Sequence, residues 1–152
     1  MDLGQEWKKK VAEKSLLEEG QKAEEKFRLK LSRKMIKFKS LNQSKDFVRI
    51  LKKKKINTRY YTIYFDKNLK NLDKYLNISF VMKKKIGNAV IRNRIKRRLK
   101  HAVQKVSAEK QLIDLNYTYV IFGKNNVYKD KFVNVLSEVN ETFKKIKQLG
   151  NR

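Results

Sequence analysis

Arg92, Asn93, Arg94, Lys96 and Arg97 crowd into six consecutive positions of a stretch, Lys83 to Lys100, that carries nine basic side chains and no acidic one. Guanidinium groups hold phosphates bidentately and lysine ammoniums act as point charges, so the chemistry within reach of this set is the binding of a polyanion. Lys84, Lys85 and Lys100 extend it at either end. A merely solvated charged face is the weaker reading, because a run this long without an acidic partner repels itself unless an anion compensates. No comparable set exists for covalent chemistry. The chain has no cysteine and a single histidine, His101, just beyond the basic cluster. Thiol chemistry, disulfides and zinc knuckles are excluded, and a histidine without a positioned partner reads as a surface residue, not a general base. No catalytic residue is assigned, and any metal site stays unknown.

A second candidate set is aromatic. Tyr60 and Tyr64 fall on one face of the alternating segment RYYTIYFD, and with Phe47 they could line a groove in which single-stranded nucleotides stack. The protein core is the commoner place for a phenylalanine such as Phe47, and composition does not decide between the two.

Particular elements must hold these sets. Ile91, Ile95, Leu99, Ala102 and Val106 recur at steps of three and four, which predicts a helix with one buried stripe and cationic flanks. Gly87 and Asn88 mark its entry, with Asn88 as the cap. In that helix Arg92 and Lys96 project together with Asn93 and Arg97 beside them, and Arg94 and Arg98 form a second row beyond the stripe. Ser44 is expected to cap an earlier short helix with Asp46 in its first turn and Phe47, Ile50 and Leu51 on its apolar face. Lys52 to Lys55 would end that helix, as a solvated terminus or as a phosphate contact.

Arg59 to Asp66 predicts a strand with Tyr61, Ile63 and Phe65 on its apolar face. Asp66 to Asn71 supplies a turn, and Tyr75 to Met82 predicts a second strand with Leu76, Ile78, Phe80 and Met82 inward. The two are expected to pair as antiparallel neighbours. Tyr117 to Gly123 is a third strand, and Phe132, Val135, Leu136, Val139, Phe143 and Ile146 share one face of a final core helix. The order is helix, strand, strand, helix, strand, helix, with a βαβ crossover through the basic helix: a two-layer α+β sandwich.

Composition bounds the partners. A net charge of +25 on 152 residues points to nucleic acid, and less well to an anionic membrane surface, for which no hydrophobic anchor is visible. No apolar run approaches the roughly 20 residues of a spanning helix, and no secretory signal is recognisable, so the protein is read as intracellular with no membrane partner. The charge is uneven. Residues 1–34 hold ten basic and seven acidic side chains, whereas the remaining 118 carry the other +22. That contrast sets a boundary near Met35 between an N-terminal extension, helical or disordered, and a cationic domain over 35–149.

The run KKIGNAVIRNRIKRRL, Lys84 to Leu99, resembles the signature of the bacterial ribonuclease P protein subunit, whose Arg-Asn-Arg motif would be Arg92, Asn93 and Arg94. SLNQSKDFVRILKKKK is similar to that family's first helix and RYYTIYF to its following strand, and the resemblance extends from about Met35 to about Leu149. It implies an αβββαβα fold of ribosomal-protein-like type, with a short extra strand before Arg59 and a left-handed βαβ crossover. It further implies a cytoplasmic protein subunit of an RNA-based endoribonuclease that removes the 5′ leader of precursor tRNA. No cofactor is then bound covalently, and the catalytic Mg2+ sits at the active site of the RNA subunit.

By the same resemblance Arg92, Asn93, Arg94, Lys96 and Arg97 would face the RNA subunit, and Phe47 and Tyr64 would line a cleft for the single-stranded leader. Leu51 stands where the family often has a second cleft aromatic, and SFVM replaces a common Ser-x-Ser ending before Lys83. The family usually begins near Met35, so residues 1–34 are a lineage-specific extension or the product of an upstream start codon. The alternative to an enzyme subunit is a structural RNA-binding protein of ribosomal type without enzymatic role.

Overall fold

The computed structural model describes residues 3–33, 36–68, 75–110 and 112–150, without the side chains of 27–33, 109 and 110. Met35 and the end of the expected 66–71 turn lie outside these residues. The chain forms two compact units, residues 1–35 and 36–152. The first consists of one helix, α1 (Leu3–Arg33), a run of good helix formers whose apolar residues Leu3, Trp7, Val11, Leu16 and Leu17 are all exposed.

The second unit runs β1 (Phe38–Lys39), α2 (Ser44–Leu51), β2 (Lys54–Asn57), β3 (Tyr61–Lys67), β4 (Leu76–Val81), α3 (Ala89–Lys110), β5 (Tyr117–Gly123), α4 (Asn126–Lys129) and α5 (Phe132–Gly150). Its five strands form one mixed sheet in the order β1-β4-β5-β3-β2. β5 is the centre. Tyr119, Val120 and Ile121 are all fully buried, as a strand covered on both faces requires.

This placement corrects one expectation: β3 and β4 are not neighbours, because β5 lies between them, antiparallel to β3 and parallel to β4. Alternation shows which face of a strand is buried but not which strand it pairs with, and the most uniformly apolar strand takes the middle. The parallel β4–β5 pair is joined through α3, which is the expected βαβ crossover.

On one face of the sheet Ile63, Phe65, Ile78, Tyr119 and Ile121 pack against α3 and α5, whose Ile95, Leu99, Val103, Val135, Val139 and Phe143 complete an α+β sandwich core. Tyr61 is buried there with its hydroxyl donating to Thr142 Oγ1 at 2.8 Å. Burial raises the Tyr61 and Tyr119 phenols well above their ordinary value, so both remain neutral hydrogen-bond donors. Ile50 of α2 and Val120 are also fully buried but stand apart from this core, since α2 lies on the opposite face.

Two further expectations about α2 change. Ser44 is its first helical residue, and the cap position belongs to Gln43, whose extended backbone makes no side-chain cap bond while its carbonyl accepts from Phe47 N at 3.3 Å. The lysine run is split as well. Lys52 and Lys53 donate their backbone N–H groups to the α2 carbonyls of Arg49 and Ile50, whereas Lys54 and Lys55 already belong to β2, opposite Phe65 and Tyr64.

Candidate nucleic-acid interface

The entry to α3 is fixed by two residues. Gly87 has φ +154°, a region that side chains with a Cβ avoid, and a Cβ there would meet Ile91 Cδ1 at 3.2 Å. Asn88 then caps the helix, its Oδ1 accepting from Ile91 N at 3.0 Å. The stripe Ile95, Leu99, Ala102, Val103 and Val106 is buried against the sheet and α5, so the remaining surface of α3 is set in orientation.

That surface has two unlike sides. Along one, Arg94, Arg98, His101 and Lys105 follow each other at helical spacing and face the α4–α5 segment. Arg98 donates from Nη1 to the Tyr128 carbonyl at 3.0 Å and from Nη2 to the Asp130 carbonyl at 2.6 Å. Arg94 lies over the Tyr128 ring at 5.6 Å, His101 stacks on Phe132 at 5.1 Å, and Lys105 lies over the same Phe132 ring at 5.9 Å.

The other side carries Arg92, Asn93, Lys96, Arg97 and Lys100. Asn93, Lys96, Arg97 and Lys100 are exposed, and Lys100 reaches over Phe38 at 6.0 Å. Arg92 is half-buried, and its Nε has no acceptor among the described residues. Ion pairs among the described residues join Arg49 to Asp46, Arg59 to Asp130 and Lys144 to Glu141, and none of these engages α3. The cations of this side have no counterion among the described residues.

The opposite face of the sheet holds the aromatic set. Strand register puts Thr62, Phe122 and Val81 in one row across β3, β5 and β4, and Tyr64, Val120 and Ser79 in the next. Phe122 is the hub: its ring lies 6.1 Å from Phe47 of α2 and 5.7 Å from Tyr64, both edge-on, and Lys83 Nζ stands 5.8 Å from its centroid. Phe47, Tyr64 and Phe122 are all half-buried, and Leu51 is half-buried on α2 beside them. Lys84 and Lys85 are exposed in the short 3-10 turn that leads from this face to α3. At the other end of the face a cleft of about 490 Å³ is lined by residues that include Asn42, Gln43, Arg49, Asn77 and Thr118.

Tyr60 does not join this face. It precedes β3, is only 4% exposed, and packs within the core with its hydroxyl donating to Asp130 Oδ2 at 2.9 Å. Burial first and that hydrogen bond second raise its phenol above the ordinary value. The strict alternation that grouped Tyr60 with Tyr64 fails because the regular strand begins at Tyr61, after the Thr58 hydroxyl has accepted the N–H groups of Tyr60 and Tyr61. Conversely, Phe122 was missed. Its signal was present in YTYVIFG, where alternation opposes Phe122 to Tyr119 and Ile121, but a strand this apolar reads as core throughout.

Among the described residues no group of three or more His, Cys, Asp or Glu side chains could hold a metal ion, and no helix is long and apolar enough to cross a membrane. The nearby carboxylates are dispersed: Asp46 pairs with Arg49 and Asp130 with Arg59.

Residues 35–147 match the family model for ribonuclease P. The ribonuclease P protein component of Carboxydothermus hydrogenoformans is 34% identical over 84 residues, covering 55% of this chain and 69% of that protein. That of Streptococcus thermophilus is 32% identical over 84 residues, covering 53% and 68%. Among solved structures, the RNase P protein from Thermotoga maritima superposes with a TM-score of 0.58 at 24% identity, covering 70% of this chain and 96% of that one. A Staphylococcus aureus RNase P protein mutant does so with a TM-score of 0.58 at 25% identity, covering 71% and 87%.

Proposed function

This chain belongs to the ribonuclease P protein family, and we propose on that premise that it is the cytoplasmic protein subunit of an RNA-based endoribonuclease that removes the 5′ leader of precursor tRNA. In this reading Arg92, Asn93, Lys96, Arg97 and Lys100 dock the RNA subunit, with Arg94 beside them. Phe47, Tyr64 and Phe122 receive the single-stranded leader, with Leu51 at their margin. Lys83, Lys84 and Lys85 bridge the two surfaces and offset the charge of both RNAs where they converge.

The observation that carries the reading is the pairing of two surfaces on opposite faces of one sheet: a cationic helix side without counterions among the described residues and a half-open aromatic row. Cations on a rigid helix bind phosphates without reading sequence, and exposed rings accept unpaired bases on their faces. Hydrolysis and the Mg2+ that serves it are assigned to the RNA subunit, because among the described residues the carboxylates form no cluster and Asp46 and Asp130 are committed to arginines.

Reconstitution tests this directly. The protein alone should leave a precursor tRNA intact, and adding the cognate RNA at physiological salt should give cleavage that neither component supports alone under those conditions. Cleavage by the protein without RNA would refute the reading.

A further inference from the structure

Tyr128 is an exposed aromatic on a corner that the fold holds rigid, and neither surface described above makes use of it. The corner between β5 and α5 is anchored from below by Val127, which is fully buried. Arg98 fixes its backbone through the carbonyls of Tyr128 and Asp130. Asp130 in turn accepts from the buried Tyr60 hydroxyl and pairs with Arg59 at 3.3 Å, so its carboxylate is engaged. On that frame Tyr128 stays 38% exposed, with the Arg94 guanidinium 5.6 Å from its ring centroid and the exposed Lys129 and Lys131 close by in sequence.

Fold stability does not call for an exposed phenol ringed by cations. A lysine or serine would serve as well at a solvent-facing position of so short a helix. A ring carried on a fixed backbone beside a guanidinium is, however, a ready platform for a nucleobase, because the chain that carries it is already ordered and the neighbouring cations attract the phosphates on either side. The charge around it is cationic, which suits RNA and opposes a basic partner.

The geometry points to Tyr128, with Arg94, as a stacking site for an unpaired nucleotide of the RNA subunit. The docking surface thus extends from α3 across Arg94 onto the α4 corner. This rests on the docking reading above and adds to it a contact that depends on stacking and not on charge. Arg94 then has two partners, the Tyr128 ring and the RNA backbone, whereas Arg98 acts only through the corner it holds.

Stacking and charge separate in their salt dependence. Binding of the full-length protein to its RNA subunit would be measured over a series of salt concentrations for wild type, Tyr128→Leu, Tyr128→Phe and Tyr128→Trp. Tyr128→Leu, which keeps apolar bulk without a π-face, should weaken binding about tenfold with an unchanged salt slope, and the Phe and Trp variants should bind like wild type. Ultraviolet crosslinking of the wild-type complex, which needs no variant to fold, should attach a nucleotide to the peptide containing Tyr128. Binding of Tyr128→Leu equal to wild type, or crosslinks that avoid this peptide, would overturn the inference while leaving the docking reading standing. Wild-type protein that fails to bind the RNA subunit would overturn both.

Discussion

Arg97 and Arg98 are adjacent and chemically identical, yet the fold uses them differently. Arg98 points along the side of α3 that meets α4 and α5 and gives two donors to backbone carbonyls there, while Arg97 is exposed on the other side among Asn93, Lys96 and Lys100. The contrast extends along the helix: Arg94, His101 and Lys105 each meet a ring of the α4–α5 segment. A dense cationic helix is thus two devices. One side, through Arg98, braces the protein, the other has charge to offer to a polyanion, and the exposed Arg94 stands between the two roles. Sequence charge counts both alike, whereas the location of protein acceptors tells them apart.

The largest effect should come from the free side. Arg92→Ala combined with Lys96→Ala and Arg97→Ala should weaken binding to the RNA subunit about 100-fold at physiological salt and make the salt slope shallower by about two to three, with little change in unfolding. Filter binding across a salt series reads both quantities. Next is the bracing side. Arg98→Ala removes two charge-assisted bonds and should lower unfolding free energy by about 2 kcal/mol in a denaturant titration, with the salt slope of RNA binding unchanged. A shallower slope for Arg98→Ala would erase the distinction between the two sides.

A smaller effect is expected on the aromatic face. Phe122→Ala removes the ring that both Phe47 and Tyr64 contact and should weaken binding of precursor tRNA to the reconstituted enzyme about tenfold, with mature tRNA unaffected. Tyr64→Ala, at the margin of that hub, should do the same more weakly. Equal losses for precursor and mature tRNA would make these rings structural only. The smallest effect is expected from deleting residues 1–34, which should leave RNA-supported cleavage intact; a large loss of leader binding in the shortened protein would refute this.

Much of the architecture was readable before the structure, for local reasons. The three long strands, the α3 stripe with its Asn88 cap and the buried face of α5 are all encoded by periodicity and cap chemistry within short windows. Pairing was not. β5 lies between β3 and β4 although it follows both in sequence, and only the competition among strands for the doubly covered position decides this.

The site divides in the same way. Charges on Lys96, Arg97 and Lys100 are visible in sequence and remain at the surface, but the role of Arg98 depends on carbonyls some 30 residues away. Phe122 becomes an aromatic hub only because α2 brings Phe47 to the sheet face opposite the core. Tyr60 left that face because β3 begins at Tyr61, two residues after the expected start at Arg59. Contacts between distant segments, which no local pattern encodes, account for Arg98 and Phe122, whereas the Tyr60 difference arises locally, where the Thr58 hydroxyl accepts the N–H groups of Tyr60 and Tyr61.

A division of labour between the two faces of the sheet would show itself in a crossed binding measurement. For the Arg92, Lys96 and Arg97 triple variant and for Phe122→Ala, two affinities would be determined: protein for RNA subunit, and assembled enzyme for precursor relative to mature tRNA. The triple variant should lower the first and preserve the ratio in the second, and Phe122→Ala should do the reverse. Parallel losses in both quantities for both variants would contradict that division of labour.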